Sequence, residues 1–537
     1  MARRGAAGTA AGGAHGDAPA GVDRRLAVLL AMAMFVLVVD TSFMNVSISA
    51  VVQDLGTTVS GVQTAIALEA LVSAAFILIG SRVSDLVGRR RGYVLGLLGY
   101  GVGAVAMTLA QSLAAVVVLW SVVGGLGAAL LLPSMQALVH GSFEGAARTK
   151  VYALVGASAS VAAAVGPLLG GFITTSLSWR VAFGLEAVVV LVVLLGVRLV
   201  RDVPFTGDRA VDVVGAVLSV LGMGGVVLGV LVWQEGGEAV GLTVAVGVVA
   251  LVGLARWVVV RERRGAARLL EPDLFRSPPF RVGVSQQTLQ QVALGGAMIA
   301  LPVYLQMALG YDAMLAGLSL APLSLSMFAA AVVAGRRAGR RRPASLVLAG
   351  FALLVVGVLL LLPVVPRATS GWYLAAPLVV AGCGLGLLVS QLNAYTLSPV
   401  AEERVGEAAG VNSAAGSFGL SFGLALAGAV MLASLAAGFT ADAQASTVLP
   451  PEDKARVSEV LEDDAEVMSD AQLETLLVDE PPDVRAEVLR INDEVRARAL
   501  QVALLVPLVA GLLGVGQALR MRRLPDPPQG AAAPSLG

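Results

Sequence analysis

The chain alternates long apolar runs with short polar loops that contain arginine. A helix needs about twenty consecutive apolar residues to cross a bilayer, and roughly fourteen runs in this chain reach that length. The pattern therefore predicts an all-α membrane protein. The predicted spans are residues 26–49, 60–81, 92–111, 113–139, 150–175, 181–200, 212–234, 239–260, 282–309, 315–335, 344–364, 372–396, 408–436 and 499–520.

Arginines concentrate in alternate loops between these spans. Apart from Arg180, Arg367 and the long loop before the last span, the opposite loops are nearly bare. Since loops rich in Lys and Arg stay in the cytoplasm, we predict that both termini are cytoplasmic. An even number of spans agrees, because it places both termini on the same side. The residues on the predicted cytoplasmic side are Arg24 and Arg25, Arg82 to Arg91, Arg148 and Lys150, Arg198 to Arg209, Arg256 to Arg281, Arg336 to Arg342, Arg404 and Arg520 to Arg523.

Composition agrees with a membrane location. Hydrophobic residues make up 57% of the chain and charged residues 14%, whereas about a quarter of the residues in an ordinary soluble chain are charged. Lys plus Arg and Asp plus Glu both total 37, so net charge does not indicate a nucleic-acid partner. Lys150 and Lys454 are the only lysines, which together with heavy Ala, Gly and Val usage indicates a GC-rich bacterial source.

The chain lacks the residues that several classes of function require. A single cysteine, Cys383, excludes a disulfide and a cysteine-rich metal site, and His15 and His140 are too few for a histidine metal centre. The phosphate loop of a nucleotide-driven pump is missing. A membrane enzyme would need a nucleophile or metal constellation, and a receptor would need an output domain. We expect no enzymatic activity, no metal and no cofactor.

The order of apolar and polar segments predicts the domain organisation. An acidic segment before the last span is expected outside the cell, with a helix beginning near Pro481 to Asp483; it could concentrate cations, act as a lid or be a solvated spacer. The predicted parts are a disordered cytoplasmic tail (1–25), a six-helix bundle (26–200), two extra helices with linkers (201–280), five helices of a second bundle (281–436), an acidic extracellular helical loop (437–498), the last helix (499–520) and a cytoplasmic tail (521–537).

A glycine-rich stretch lies inside the fifth predicted span. Gly166, Gly170 and Gly171 would let a neighbouring helix approach closely, and Pro167 removes a backbone hydrogen bond and bends the helix. Such a helix could act as a seal or pivot between two halves, or it could simply pack tightly.

A charged loop joins the second and third predicted spans. Asp85, Gly88, Arg89 and Arg90 could cap helix ends, turn the chain and form ion pairs that hold one conformation. Cytoplasmic topology explains the arginines but not the Asp-x-x-Gly spacing.

These motifs resemble those of the major facilitator superfamily, in its fourteen-span drug:proton antiporter family, over most of the chain. The matching segments are the loop Gly80 to Arg91, the antiporter motif Gly166 to Gly171, a first-helix pattern with Asp40, Asn45 and Val46, and "WRVAF" from Trp179 to Phe183. The resemblance implies two six-helix bundles plus two additional helices, alternating access and proton-coupled export.

The chain departs from the family pattern at several positions. Ser81 and Leu86 replace a Gly and an Arg of the loop motif. Ser121 replaces a fourth-helix Arg that the family implicates in proton transfer, and Gly124 replaces a Gln. In the second span Glu69 stands where the family usually has Tyr, and in the sixth span Glu186 stands where it tends to have Asn.

Three acidic residues lie within predicted spans. A carboxylate at a helix centre costs about 2.5–3.5 kcal/mol on insertion scales, so such residues are functional by default. We predict Asp40 as a proton or cation site, Glu69 as a second one and Glu186 as a third. Glu186 could instead extend to the headgroups or pair with Arg180.

Uncharged polar residues provide candidates for the substrate cavity: Asn45, Ser121, Gln290 and Asn393. Asn45 could also orient the partner of Asp40, and any of these side chains could instead hydrogen-bond a neighbouring helix.

The sequence therefore predicts a proton-coupled antiporter that exports amphipathic, cationic drugs or antibiotics. Its expected partners are a lipophilic cation, protons and the lipid bilayer, without nucleic acid, and it is expected to be a monomer in the bacterial plasma membrane. Two alternatives stay open: a dedicated exporter of one endogenous secondary metabolite, and a lipid-type transporter on the same fold.

Overall fold

The computed structural model describes residues 24–143, 145–200, 212–234, 237, 239–264, 269–270, 272–336, 341–400, 404–450, 454, 477–478 and 481–524. The predicted tails, except for their innermost residues, lie outside the described residues, as do residues 451–453, 455–476 and 479–480 of the acidic loop.

Fourteen helices in the described part of the chain are long and apolar enough to cross a membrane, which confirms the predicted all-α class and number of spans. We number them in chain order. They are α1 (Arg24–Val46), α2 (Val59–Val87), α3 (Arg89–Leu109), α4 (Leu113–Ser142), α5 (Gly145–Ser176), α6 (Trp179–Gly196), α7 (Val213–Gln234), α8 (Val240–Arg263), α9 (Pro278–Met307), α10 (Ala313–Arg336), α11 (Pro343–Val364), α12 (Ala375–Leu397), α13 (Val405–Ala445) and α14 (Pro482–Met521).

The helices form two six-helix bundles with the same internal packing. In the first bundle α1 packs against α5 and α6, and α4 packs against α2 and α3. In the second, α9 packs against α13 and α14, and α12 packs against α10 and α11. The pattern repeats with the helix numbers raised by eight, as two structural repeats on either side of an inserted helix pair would give.

The two bundles meet along two seams, α2 with α13 and α5 with α10. At the first seam, Ser421 on α13 donates a hydrogen bond to the carbonyl oxygen of Ala67 on α2, at 2.7 Å. At the second, a Cβ added to Gly317 on α10 would lie 2.2 Å from the carbonyl oxygen of Pro167. Backbones at both seams therefore approach closely, as small residues allow in membrane helices.

The extra pair, α7 and α8, lies against the first seam. Helix α7 contacts both α2 and α13, and the Gln234 side chain on α7 donates to Gln63 on α2 at 2.9 Å. Gly428 on α13 leaves the room for these amides, since a Cβ there would lie 2.8 Å from the Gln63 oxygen. The most apolar stretch of α2 is consequently 72% buried, whereas that of α5 at the other seam is 28% buried.

Helices α13 and α14 extend beyond a bilayer. They contain 41 and 40 residues, about 60 Å each at 1.5 Å per residue, against a hydrocarbon core of about 30 Å. Their projecting ends pack on each other through a small apolar cluster that includes Phe439, Val488 and Ile491. Helix α14 begins at Pro482, as its sequence predicts.

Candidate functional site

Asp40 lies at the centre of the first bundle. Its side chain is 2% exposed although it follows an apolar stretch of α1. Both carboxylate oxygens accept a hydrogen bond from the indole Nε1 of Trp120 on α4, at 3.2 Å each. The Tyr100 hydroxyl on α3 also lies at this carboxyl group, and it donates to the carbonyl oxygen of Val36 at 3.3 Å.

Trp120 belongs to an unusual part of α4. Residues Val116–Gly124 form a π-helix inside the otherwise α-helical span. Short π segments inside α-helices are frequently found at functional sites. In this one, the Trp120 side chain contacts Asp40. Sequence reasoning missed Trp120, because an aromatic residue in an apolar span has the signature of ordinary core.

Glu186 on α6 lies beside Asp40, with the two carboxyl groups within hydrogen-bonding reach. It is 3% exposed, and no N–H or O–H group in the described part of the chain donates to either of its oxygens. Both alternatives considered for Glu186 are wrong. It does not extend to the membrane surface, and Arg180 pairs with Asp54 instead.

Glu69 on α2 is half-buried, so it is the most accessible of the three acids. It lies close enough to Asp40 for a charge on one carboxyl group to act on the other. The groups that act on these acids, among the residues the structure describes, include no Arg, Lys or His. Three desolvated carboxyl groups without a cation repel one another when ionised, so the cluster can bind protons or an organic cation.

Ser121 and Asn45, two of the cavity candidates, lie between helices in this conformation. Ser121 is fully buried and donates to the carbonyl oxygen of Ala65 at 2.7 Å, so the structure does not place it on a cavity wall. Asn45 is fully buried too, and its Nδ2 donates to the Thr41 carbonyl oxygen at 2.8 Å.

The second bundle contains two further candidates. Gln290 on α9 is 2% exposed and donates to Gln291 at 3.4 Å, so it does not face open space in this conformation. Asn393 on α12 is exposed and accepts a hydrogen bond from Asn412 at 3.2 Å. The structure brings neither of them to the acidic cluster.

Gln306 on α9, which sequence reasoning missed, joins the two bundles at the end away from Arg24. Its Oε1 accepts from the backbone N–H of Ser49 at 3.0 Å and from the Ser49 hydroxyl at 2.6 Å. At the same end, the Met314 N–H donates to the Thr175 hydroxyl at 3.0 Å. These hydrogen bonds join the two bundles at that end.

The glycines of the α5 motif allow neighbouring helices to pack closely against α5. A Cβ added to Gly166 would lie 2.5 Å from Ser42, and one on Gly170 2.8 Å from Phe43, both on α1. A Cβ on Gly171 would lie 2.4 Å from the carbonyl oxygen of Ala313 on α10. Helix α5 therefore packs against α1 and across the seam through this one motif.

The loop motif turns the chain from α2 into α3. Gly88 has a φ of 97°, a conformation that favours glycine. Asp85 forms an ion pair with Arg89 across the turn, at 3.5 Å. Arg90 lies one residue further, in the first turn of α3. The Asp-x-x-Gly spacing thus has a local structural reason.

Among the described residues, no group of three or more His, Cys, Asp or Glu side chains is arranged so that it could hold a metal ion.

Comparison with known proteins identifies the family. The model of the Major Facilitator Superfamily matches residues 30–424. This chain belongs to that superfamily. It is therefore a multi-pass membrane transporter of small molecules, and it is not an enzyme.

Relatives within the superfamily align with about three quarters of this chain. Puromycin resistance protein pur8 of Streptomyces alboniger is 31% identical over 77% of this chain and 82% of its own length. Multidrug resistance protein Stp of Mycobacterium tuberculosis (strain ATCC 25618 / H37Rv) is 28% identical over 76% of this chain and 75% of its own length.

Solved superfamily structures share the fold at low sequence identity. A bacterial homologue of the human lysosomal transporter Spinster, in an inward-facing and unoccupied conformation, has a TM-score of 0.60 at 12% identity, covering 94% of this chain and 99% of its own. The proton:xylose symporter XylE has a TM-score of 0.56 at 12% identity, covering 94% and 96%.

Trp120 stands next to the position of the superfamily arginine that this chain lacks. Ser121 occupies that position, points to α2 and does not reach Asp40. The indole of Trp120, the preceding residue, donates the hydrogen bonds to the acid. The polar partner of Asp40 is thereby neutral, so protonation changes the net charge of this site.

Proposed function

We propose that this protein exports amphipathic organic cations across the bacterial plasma membrane and takes up protons in exchange. The observation that carries the proposal is the cluster of Asp40, Glu69 and Glu186, which has no basic side chain acting on it among the described residues. A proton and an organic cation both neutralise the same negative charge. Binding of one therefore weakens binding of the other, which is the coupling an antiporter needs.

The names of the relatives support export. One relative is a puromycin resistance protein and another a multidrug resistance protein, and export of the toxic compound is a direct way for a transporter to give resistance. The same direction of transport is our proposal for this chain.

Positive-inside topology supports the orientation. The ends of the helices near Arg24, Arg89 and Arg520 lie in the cytoplasm in this proposal, as do both termini. The end where Gln306 joins Ser49 then faces outward. The two bundles rock about the central site to expose it on either side.

The proposed roles follow from accessibility. Glu69, the half-buried acid, meets the substrate cation, while buried Asp40 binds the proton that drives release. Gln290 and Asn393 are proposed to contact substrate from the second bundle once the bundles move apart. The transporter works as a monomer in this proposal, because each chain contains a complete set of both bundles.

A second candidate function is export of one endogenous secondary metabolite. Two further relatives favour it by their names: a probable actinorhodin transporter of Streptomyces coelicolor and the cephamycin export protein CmcT of Amycolatopsis lactamdurans. A narrow substrate range in transport assays would separate this candidate from multidrug export.

Efflux from intact cells tests the proposal. Cells that produce the wild type are loaded with ethidium, a fluorescent monovalent cation, and the loss of signal is followed with and without a protonophore. We expect wild-type efflux to stop when the protonophore is added. Asp40→Asn should abolish efflux and Glu69→Gln should weaken it, because each removes a carboxylate from the cluster.

Glu407→Gln serves as the control in that assay. Glu407 is an acid in the first turn of α13, paired with Arg404 at 3.7 Å and outside the cluster. Its substitution should leave efflux at the wild-type rate. Efflux that continues in the presence of the protonophore, or at full rate in Asp40→Asn, contradicts the proposed mechanism.

A further inference from the structure

The buried Glu186 carboxyl group has an environment that the proposed function does not explain. Its two oxygens receive no hydrogen bond from an N–H or O–H group in the part of the chain that the structure describes, although such a group is normally satisfied when buried. The carboxyl group of Asp40 is a polar group within its reach. Two carboxyl groups can satisfy each other only when at least one of them carries a proton.

The groups that surround Asp40 and Glu186 on the neighbouring helices favour at most one negative charge on this pair of carboxyl groups. Asp40 on α1 faces Tyr100 from α3, Trp120 from α4 and Glu186 from α6, with Glu69 on α2 further out. Trp120 and Tyr100 are neutral groups, and the only charged groups in the set are the acids themselves. Two like charges in contact in a dry site are strongly disfavoured, so a carboxyl pair of this kind holds one proton between its members.

We propose that Asp40 and Glu186 form one proton-sharing pair, and that this pair is the proton carrier of the transporter while Glu69 is the cation-binding acid. The inference rests on the proposed antiport function and deepens it by making Glu186 the second member of the proton site. The pair is sealed within the first bundle, with 2% and 3% of its side chains exposed, which admits a proton but leaves no room for an organic cation.

The proton balance of the pair is simple. At rest one proton lies between the two carboxyl groups, and the pair has a charge of −1. A second proton arriving from outside gives a neutral pair, with one O–H donating to the other group, and loss of that proton to the cytoplasm restores the charge of −1. One proton therefore crosses per cycle at this site, and no other reactant is consumed.

Two transport modes in proteoliposomes test this inference. Proton-driven uptake is measured with an imposed pH gradient, and ethidium exchange is measured between two ethidium pools at equal pH, where no net proton movement is needed. The variants are Asp40→Asn, Glu186→Gln and the double substitution, with Glu407→Gln as the control.

If the two acids form a proton-sharing pair, substitution of Glu186 should reduce proton-driven uptake much more than ethidium exchange. Glu186→Gln should lower proton-driven uptake about tenfold or more, with a much smaller change in exchange, because the lost group binds protons and not substrate. Asp40→Asn should lose about as much as Glu186→Gln, and the double substitution no more than either, since members of one unit are not additive.

Two results overturn the inference. Wild-type proton-driven uptake in Glu186→Gln shows that Glu186 only fills space, and equal losses of uptake and exchange show a folding or substrate role. Either result leaves the proposed function standing if the wild type is proton-driven and Asp40→Asn is not. Absence of proton-driven uptake in the wild type overturns the proposed function and this inference together.

Discussion

Asp40 receives both of its Trp120 hydrogen bonds from a neutral group, so the indole stabilises the ionised carboxylate without cancelling its charge. A partner of this kind positions the acid and leaves its charge free to change during transport. Trp120 thereby gives Asp40 a polar partner although Ser121, the next residue, does not bond to it.

Trp120→Phe should shift the pH dependence of transport. Phenylalanine keeps the aromatic ring but removes the N–H that stabilises ionised Asp40, so the proton is held more strongly. The pH at which efflux is half-maximal should therefore move upward, with the maximal rate less affected. Efflux measured over a series of pH values checks this expectation.

Trp257→Phe is the matched control for that shift. Trp257 on α8 donates to Asp212 at 2.9 Å, outside the acidic cluster. The same chemical change there should leave the pH profile in place. An unshifted profile in Trp120→Phe, or an equal shift in both variants, contradicts a positioning role for Trp120.

At this scale the sequence predicts the acids but not their partners. Hydropathy reveals Asp40, Glu69 and Glu186 because a carboxyl group stands out in an apolar span. It gives no information on which helices touch, so the contact between Glu186 and Asp40 could not be predicted. The same limit applies to Ser121, whose direction depends on the π-helical turn of α4.

Helix α5 shows how one element uses its glycines in two environments. Gly171 faces the backbone of α10, where a Cβ would lie 2.4 Å from the Ala313 carbonyl oxygen, and no described atom lies within 4 Å of a Cβ on Gly156. The close contact is at the end where Gln306 joins the bundles, and the open position is at the other end.

Gly171→Ala should therefore be destabilising and Gly156→Ala should not. Overpacking costs about 1–3 kcal/mol when the neighbour is backbone that cannot move easily, whereas Ala in an open helical position gains up to about 1 kcal/mol over Gly. Thermal unfolding of the purified protein in detergent should give a lower Tm for Gly171→Ala only. Equal Tm values for the two variants contradict the packing described for this seam.

At the scale of the helices, the sequence predicts where the membrane spans lie. It does not predict where each helix ends or which helices pack beside it. The predicted span 408–436 continues as a helix to Ala445, because the projecting turns are polar and fall outside a hydropathy window. The place of α7 beside α2 depends on the Gln63–Gln234 hydrogen bond and the gap at Gly428. Nothing in the apolar pattern distinguishes that place from any other.

The orientation proposed for the whole molecule is inferred from its arginines, and cysteine labelling can test it. Replacing Cys383, the single cysteine, gives a background for Val448→Cys and Leu86→Cys, at exposed positions near opposite ends of the helices. A membrane-impermeant maleimide should label Val448→Cys in intact cells and Leu86→Cys only after permeabilisation. The reverse pattern contradicts cytoplasmic termini.

The resemblance to a known family carried most of the fold prediction at the scale of the whole molecule. Hydropathy alone gave the number of spans, while the two bundles came from motifs such as Gly166 to Gly171. The structure adds the asymmetry between the seams, since α7 covers α2 but no helix among the described residues covers α5 in the same way. That asymmetry comes from the inserted pair and has no signature in any single motif.

The most direct test of the central claim is proton movement itself. Purified protein is placed in liposomes that contain a pH-sensitive dye, and a gradient of ethidium is imposed with no initial pH gradient. Our account predicts that ethidium flux down its gradient drives protons in the opposite direction in the wild type, and that Asp40→Asn shows no such proton flux. Ethidium transport by the wild type without proton movement, or full proton flux in Asp40→Asn, would contradict it.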